Sequence, residues 1–131
     1  AFKIHYLHCS SETQAEISSV MEQWKNADSS YQVHTSGSTG NPKLITLSST
    51  QLEASARRSN AFFGLNENSR VFMCLSPKTI GGKMMLIRAL VGNYAIDITE
   101  ASGNPETQIQ DHIHLNQGRF FILRIQKLFL K

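Results

Sequence analysis

The chain has 131 residues, 40% hydrophobic and 18% charged, which suits one domain or a piece of one with a buried core and makes two domains unlikely on length alone. No apolar run approaches the ~18 residues of a membrane span, AFKIHYLHC lacks the apolar stretch and small-residue cleavage site of a signal peptide, and two cysteines without a CxxC partner exclude a disulfide scaffold, so a cytoplasmic protein with no membrane partner is expected. The formal net charge of +3 is concentrated: residues 112–131 hold four of the thirteen Lys and Arg and no acid, leaving nine bases against ten acids before them, and a basic tail alone does not make a nucleic-acid-binding protein.

The opening FKIHYLH alternates as a strand does. In SSETQAEISSVMEQWKN a helix can enter at Ser11 or Thr13, with Gln14 or Glu16 three places on in capping-box position. Ile17, Val20, Met21 and Trp24 then share one face at i, i+3, i+4, i+7, and that face is read as core. After the turn-like NADSS, YQVHTS is a short strand that ends in a loop; Pro42 bars a helix there, and KLITLS alternates as the return strand. Thr50 and Glu53 form a second capping box, opening a helix through QLEASARRSNAFFGL that Gly64 can end. SRVFMCLS has the apolar run of a strand buried on both faces. Pro77 to Gly82 is read as loop, KMMLIRALVGN as helix and YAIDIT as strand. The alternation predicts an α/β fold, a partial, mostly parallel sheet flanked by helices. Strands near 31–35, 43–48, 70–75 and 94–98 are expected in that sheet, and helices starting near 12, 50 and 82. EASGNPETQIQDH is polar and loop-like, which places a boundary near 102–110.

One stretch suits neither helix nor strand. Thr35 to Lys43 holds two glycines, four hydroxyl side chains, a proline and a lysine. Glycines let backbone N–H groups turn toward a ligand, while hydroxyls and an ammonium add donors and charge. Such a set suits polyphosphate oxygens, and it also suits a mobile turn. The spacing is not the GxxxxGKS or GxxxxGKT of the P-loop NTPases.

HTSGSTGNPK resembles the phosphate-loop signature of the adenylate-forming superfamily, which contains acyl-CoA synthetases, peptide-synthetase adenylation domains and luciferases. The following LSSTQLEASARRSNAFFGLNENSRVFMCLSPKTIGGKMMLIRAL resembles the stretch of those enzymes that runs on to the acyl-pocket motif. Within it, IGGKMMLIRAL is most similar to the o-succinylbenzoate–CoA ligases of menaquinone biosynthesis. The resemblance implies part of the large N-terminal domain of these enzymes, a truncated domain over 1–111 followed by a divergent tail over 112–131. It implies a reaction that uses ATP and Mg²⁺ in the complete enzyme, forming an acyl-adenylate and then acyl-CoA. It implies Thr35, Ser36, Gly37, Ser38, Thr39, Gly40 and Lys43 as the grip on a nucleotide polyphosphate or pyrophosphate, and Thr79, Gly81, Gly82, Lys83 and Arg88 in the acyl pocket. No catalytic residue is assigned.

The sequence departs from the family pattern in two ways. Thr79 stands where the pocket motif usually has an aromatic residue or histidine, and no YGxTE-like motif, ribose-binding aspartate, hinge or adenylation lysine follows. A fragment that carries the phosphate loop and is inactive alone is therefore expected, with a non-catalytic phosphate-binding or self-associating remnant as the alternative. HIHLNQGRFFILRIQKLFLK is read as the product of truncation, frameshift or proteolysis, or as a genuine edge strand or terminal helix. Lys78, Lys83 and Arg88 either attract the second carboxylate of a dicarboxylate substrate or lie on a solvated helix face. Met84, Met85 and Leu86 are read as core. His5 and His8, or His112 and His114, lack Cys or acidic partners at ligand spacing, so no metal site is expected. An incomplete sheet would expose an edge or an apolar face through which a homodimer could form.

Overall fold

Eight elements follow one another in the computed structural model, which describes residues 1–26, 29–34, 41 and 43–100. Among the described residues they are β1 (Lys3–Tyr6), α1 (Ser11–Lys25), β2 (Ser30–His34), β3 (Leu44–Ser48), α2 (Ser49–Phe63), β4 (Arg70–Met73), α3 (Ile80–Gly92) and β5 (Ala95–Ile98). The boundary expected near 102–110 and the tail 112–131 lie outside the described residues. No helix among those described is long and apolar enough to cross a membrane.

The fold is α/β, with a parallel sheet in the order β1-β5-β4. Its register sets Ile96 between Ile4 and Val71, Ile98 between Tyr6 and Met73, and Asp97 between His5 and Phe72. Period-two alternation puts the two isoleucines of β5 on one face. There they share a core with Ile17 and Val20 of α1 and with Met85, Leu86 and Ala89 of α3. Val71, Phe72 and Met73 are each at most 1% exposed, as the apolar run of β4 predicts for a strand buried on both faces. The expected helix faces hold as well: Ile17 and Val20 are buried and Met21 and Trp24 half-buried, while Met84, Met85 and Leu86 are core.

The strands do not all join one sheet. β2 and β3 pair only with each other among the described residues, as an antiparallel ribbon, and β1 takes its place beside β5. The reason is chain reach. A parallel neighbour needs a crossover of a dozen or more residues, usually a helix, whereas a short loop returns the chain antiparallel on its own strand. A second core lies under the ribbon, where Tyr31 meets Leu52 and Ala56 of α2 and Met84 and Ile87 of α3.

All three helices begin earlier than their sequence signals suggest: α1 is capped by Ser10, whose hydroxyl accepts from the Thr13 N–H at 3.2 Å, and the expected entries Ser11 and Thr13 lie within its first turn. α2 is capped by Ser48, whose hydroxyl accepts from the Gln51 backbone N–H while the Gln51 side chain accepts from the Ser48 N–H. Thr50 and Glu53, the expected box, lie inside the helix, and Glu53 pairs with Arg57 at 2.7 Å. Ser48 prevails because it is the last paired residue of β3, so the chain passes from strand to helix with no free residue between. α3 begins at Ile80 because Thr79 caps it, accepting from the Gly82 N–H at 3.1 Å. The loop before it is correspondingly shorter than expected. Gly64 ends α2 in the left-handed region at φ 68°, as expected of that residue.

Candidate functional site

The register of the ribbon runs to the pair His34–Leu44, and the glycine-rich 35–43 lies between these two residues in the sequence. Thr35 to Gly40 and Pro42 lie outside the described residues. Lys43, directly before β3, is exposed. The other end of the ribbon is fastened. Ser29 Oγ donates to Gln23 O at 2.8 Å, Gln23 Nε2 to Ser30 O at 2.9 Å, and Ser49 N to Ser29 O at 3.2 Å. These bonds tie it to the C-terminal end of α1 and the start of α2, with Tyr31 1% exposed beside them.

The structure brings four of the five expected acyl-pocket residues together at the start of α3. Thr79 Oγ1 donates to Ser76 O at 2.7 Å while capping the helix, and Thr79 N donates to the same carbonyl at 3.1 Å. Lys78 N reaches Ser76 Oγ at 3.2 Å. Gly81 and Gly82 make the first turn. At Gly82 a Cβ would stand 2.0 Å from Ser76 O, so the turn packs directly on helix backbone, whereas at Gly81 its nearest neighbour would be Leu75 Cδ1 at 3.4 Å. Lys83 is half-buried, and its Nζ donates to Pro77 O at 2.9 Å and Lys78 O at 3.1 Å. Burial lowers its pKa against the opposing pull of Glu16. Lys78 Nζ pairs with Glu16 Oε1 of α1 at 3.0 Å, and that hydrogen bond, with the charges of Glu16 and Glu12, raises its pKa.

Arg88 is not part of this group. It lies five residues beyond Lys83, about 7.5 Å along the axis and about 140° around it. It is 6% exposed, which is not a solvated face, and burial lowers its pKa while the Tyr94 charge opposes the shift. Its carbonyl accepts from Asn60 Nδ2 at 3.0 Å, and Tyr94 donates to Asn60 Oδ1 at 3.0 Å, a buried link between α2 and the end of α3.

Sequence reasoning missed a charged group on the parallel sheet. Asp97 is 0% exposed; Arg70 Nε donates to its Oδ2 at 2.7 Å and Arg70 Nη2 to its Oδ1 at 3.0 Å. His5 Nδ1 lies 3.1 Å from the same Oδ1. The same nitrogen lies 3.3 Å from Arg70 Nη2, so the imidazole sits between the carboxylate and the guanidinium. The signal was present in YAIDIT, because a charge inside a buried strand requires partners. Glu100 was missed too: it accepts from Ser10 N at 3.0 Å and Thr13 Oγ1 at 2.5 Å, and these hydrogen bonds at the start of α1 lower its pKa. A groove of about 570 Å³ among the helices, lined by Trp24, Thr50, Arg57 and Val91, contains none of the expected site residues. Among the described residues no three His, Cys, Asp or Glu are grouped to hold a metal ion.

No protein-family model matches the sequence, and no curated protein matches it. Solved structures do. An acyl-CoA synthetase (AMP-forming)/AMP-acid ligase II-like protein from Dyadobacter fermentans is 34% identical, with a TM-score of 0.66 over 77% of this chain and 29% of that one. The o-succinylbenzoate–CoA synthetase MenE of Bacillus subtilis, solved with AMP, is 21% identical, with a TM-score of 0.55 over 64% of this chain and 22% of that one. The N-terminal subdomain of Klebsiella oxytoca NpsA, solved with 3-hydroxyanthranilyl-AMSN, is 19% identical, with a TM-score of 0.56 over 69% and 23%. The last two show likeness of fold. The chain thus spans under a third of the length of each of these structures. Its α/β fold and its 34% identity to an AMP-forming synthetase over 77% of its own length make the chain similar to part of the N-terminal domain of adenylate-forming enzymes.

Proposed function

We propose that this chain supplies the phosphate-gripping loop and the acyl-side turn of an AMP-forming acid–CoA ligase, and does not make acyl-CoA by itself. The carrying observation is the ribbon that ends at the pair His34–Leu44 with its base tied to two helices, between whose strands the sequence runs through the donor-rich 35–43. Glycine N–H groups, four hydroxyls and the Lys43 ammonium form a donor set that fits the β- and γ-phosphates of ATP. Thr35, Ser36, Gly37, Ser38, Thr39, Gly40 and Lys43 would hold those phosphates and stabilise charge on the departing pyrophosphate. Mg²⁺, when bound, neutralises phosphate charge. The turn at Thr79–Lys83 would border the acid, and o-succinylbenzoate is the first acid to test on the strength of IGGKMMLIRAL.

Turnover needs more than this. Holding the acid and the α-phosphate within about 3–3.5 Å in line is worth roughly 7–11 kcal/mol of the barrier. Within these 131 residues no second motif for adenine, ribose or metal accompanies the loop. Titrating pyrophosphate into the ¹⁵N-labelled chain should move the amide signals of Gly37, Ser38 and Gly40. Lys43→Ala should weaken that binding about tenfold, the worth of one charged hydrogen bond. Mixing the chain with ATP, Mg²⁺, CoA and o-succinylbenzoate should release no pyrophosphate above background. Unmoved amide signals would reduce the loop to a turn, and robust Lys43-dependent release would overturn the inactivity.

A further inference from the structure

We propose that Lys83 is a positioning residue that clamps the Ser76–Thr79 turn onto α3, and that it does not meet a second carboxylate on the acid. The inference rests on the ligase reading only for the second clause. An ammonium has three donors, and two of those on Lys83 are committed to the carbonyls of Pro77 and Lys78. Those carbonyls belong to the turn that Gly82 packs against and that Thr79 closes by two bonds to Ser76 O. With the Lys83 amine in place, one helix residue holds the turn preceding its own N-terminus, and Thr79 is kept where it caps the helix. Replacing a carbonyl contact by a substrate carboxylate would leave a half-buried carbonyl without its donor.

The surrounding charges support the same reading. Lys78 is matched by Glu16, the Glu16 charge also acts on Lys83, and Glu12 adds a second carboxylate on the same side of α1. Two ammoniums face two carboxylates, so this turn presents no excess positive charge to an incoming anion. Arg88, the remaining cation of the motif, is buried toward Tyr94. The acid group this turn favours is therefore an uncharged remainder, aromatic or aliphatic. If o-succinylbenzoate is the substrate, its second carboxylate must be bound by residues outside this segment.

Amide hydrogen exchange on the purified chain tests the clamp without reference to any activity. Lys83→Met keeps the aliphatic stem and removes the donors. Exchange at Thr79 and Lys83 should rise about tenfold, the effect of losing one to two net hydrogen bonds, while amides near the C-terminal end of α3 change less than twofold. Lys83→Arg, which retains donors, should restore most of the protection. Unchanged exchange in Lys83→Met would overturn the clamp. The second arm uses the unsubstituted chain, so it survives a variant that fails to fold. The side-chain ¹³Cε and ¹⁵Nζ signals of Lys83 are followed while benzoate or o-succinylbenzoate is added, and neither should shift them. A shift with o-succinylbenzoate but not with benzoate would show the amine leaving its carbonyls for a second carboxylate. That result would overturn the proposal while supporting the ligase reading.

Discussion

Gly81 and Gly82 look alike in the sequence and differ in what surrounds them. A methyl group at Gly82 would sit 2.0 Å from a backbone oxygen that cannot rotate away, and one at Gly81 would meet side-chain atoms alone, Leu75 Cδ1 at 3.4 Å and Thr79 Oγ1 at 4.0 Å. Gly82→Ala should therefore cost roughly 1–3 kcal/mol in urea unfolding through overpacking. Gly81→Ala should be neutral or stabilising by up to about 1 kcal/mol, because alanine is the better helix former. Equal effects at the two positions would mean that the turn does not pack on the helix as described. Glu100 makes a second residue-scale prediction. Its folded pKa is held below the ordinary 4.5 by hydrogen bonds from Thr13 and Ser10. A carboxyl lowered on folding adds stability above its unfolded pKa, and that stability is lost as pH falls through the folded value. Unfolding midpoints measured from pH 7 to pH 3 should drop below about pH 4.5, and Glu100→Gln should flatten the drop without removing it, since other acids also titrate there.

At the scale of elements, caps separate what a motif suggests from where a helix starts. Two overlapping boxes, Ser48–Gln51 and Thr50–Glu53, compete in one short stretch, and the strand register selects the first. Ser48→Ala should cost about 1 kcal/mol in unfolding free energy, as lost N-caps do, and Thr50→Ala less than about 0.5 kcal/mol. The reverse order would restore the sequence reading. The periodic face of α1 and the apolar run of β4 needed no such arbitration, because many residues vote for one pattern there. α3 is different. Its first turn contains two glycines, poor helix formers, and it forms because Thr79 supplies the cap and Lys83 the bonds to the preceding turn.

For the whole molecule, the ribbon and the parallel sheet are separate sheets; the second core seats the ribbon on α2 and α3, and α3 shares the first core with the sheet. Tyr31 is central to the second core. It is 1% exposed against Leu52, Ala56, Met84 and Ile87, its ring lies 6.3 Å from that of Trp24, and its hydroxyl has no hydrogen-bond partner among the described residues. Its ring holds the ribbon, and its hydroxyl contributes little. Tyr31→Phe should leave stability within about 0.5 kcal/mol and pyrophosphate binding unchanged. Tyr31→Ala should cost about 3–5 kcal/mol, as aromatic truncation in a core does, and weaken pyrophosphate binding because the loop's support is loosened. Full pyrophosphate affinity in a folded Tyr31→Ala protein would show that the loop acts independently of the body.

The sequence by itself determined the kind and order of the elements, the faces that α1 and α3 bury, the end of α2 at Gly64 and the donor chemistry of residues 35–43. Each of these follows from neighbours within a turn or two, where periodicity, capping and turn preferences act. Only the tertiary structure decided which strands share a sheet, which of two boxes caps α2, and what the charges meet. Asp97 finds Arg70 and His5 from strands 27 and 92 residues away, and Glu100 reaches Ser10 and Thr13 across 90 and 87. Lys83 and Arg88, grouped by their motif, are parted by the helix itself, one turned to the carbonyls of the preceding loop and the other into the core. A buried charge fixes only that partners must exist, and the chain's path through space supplies them.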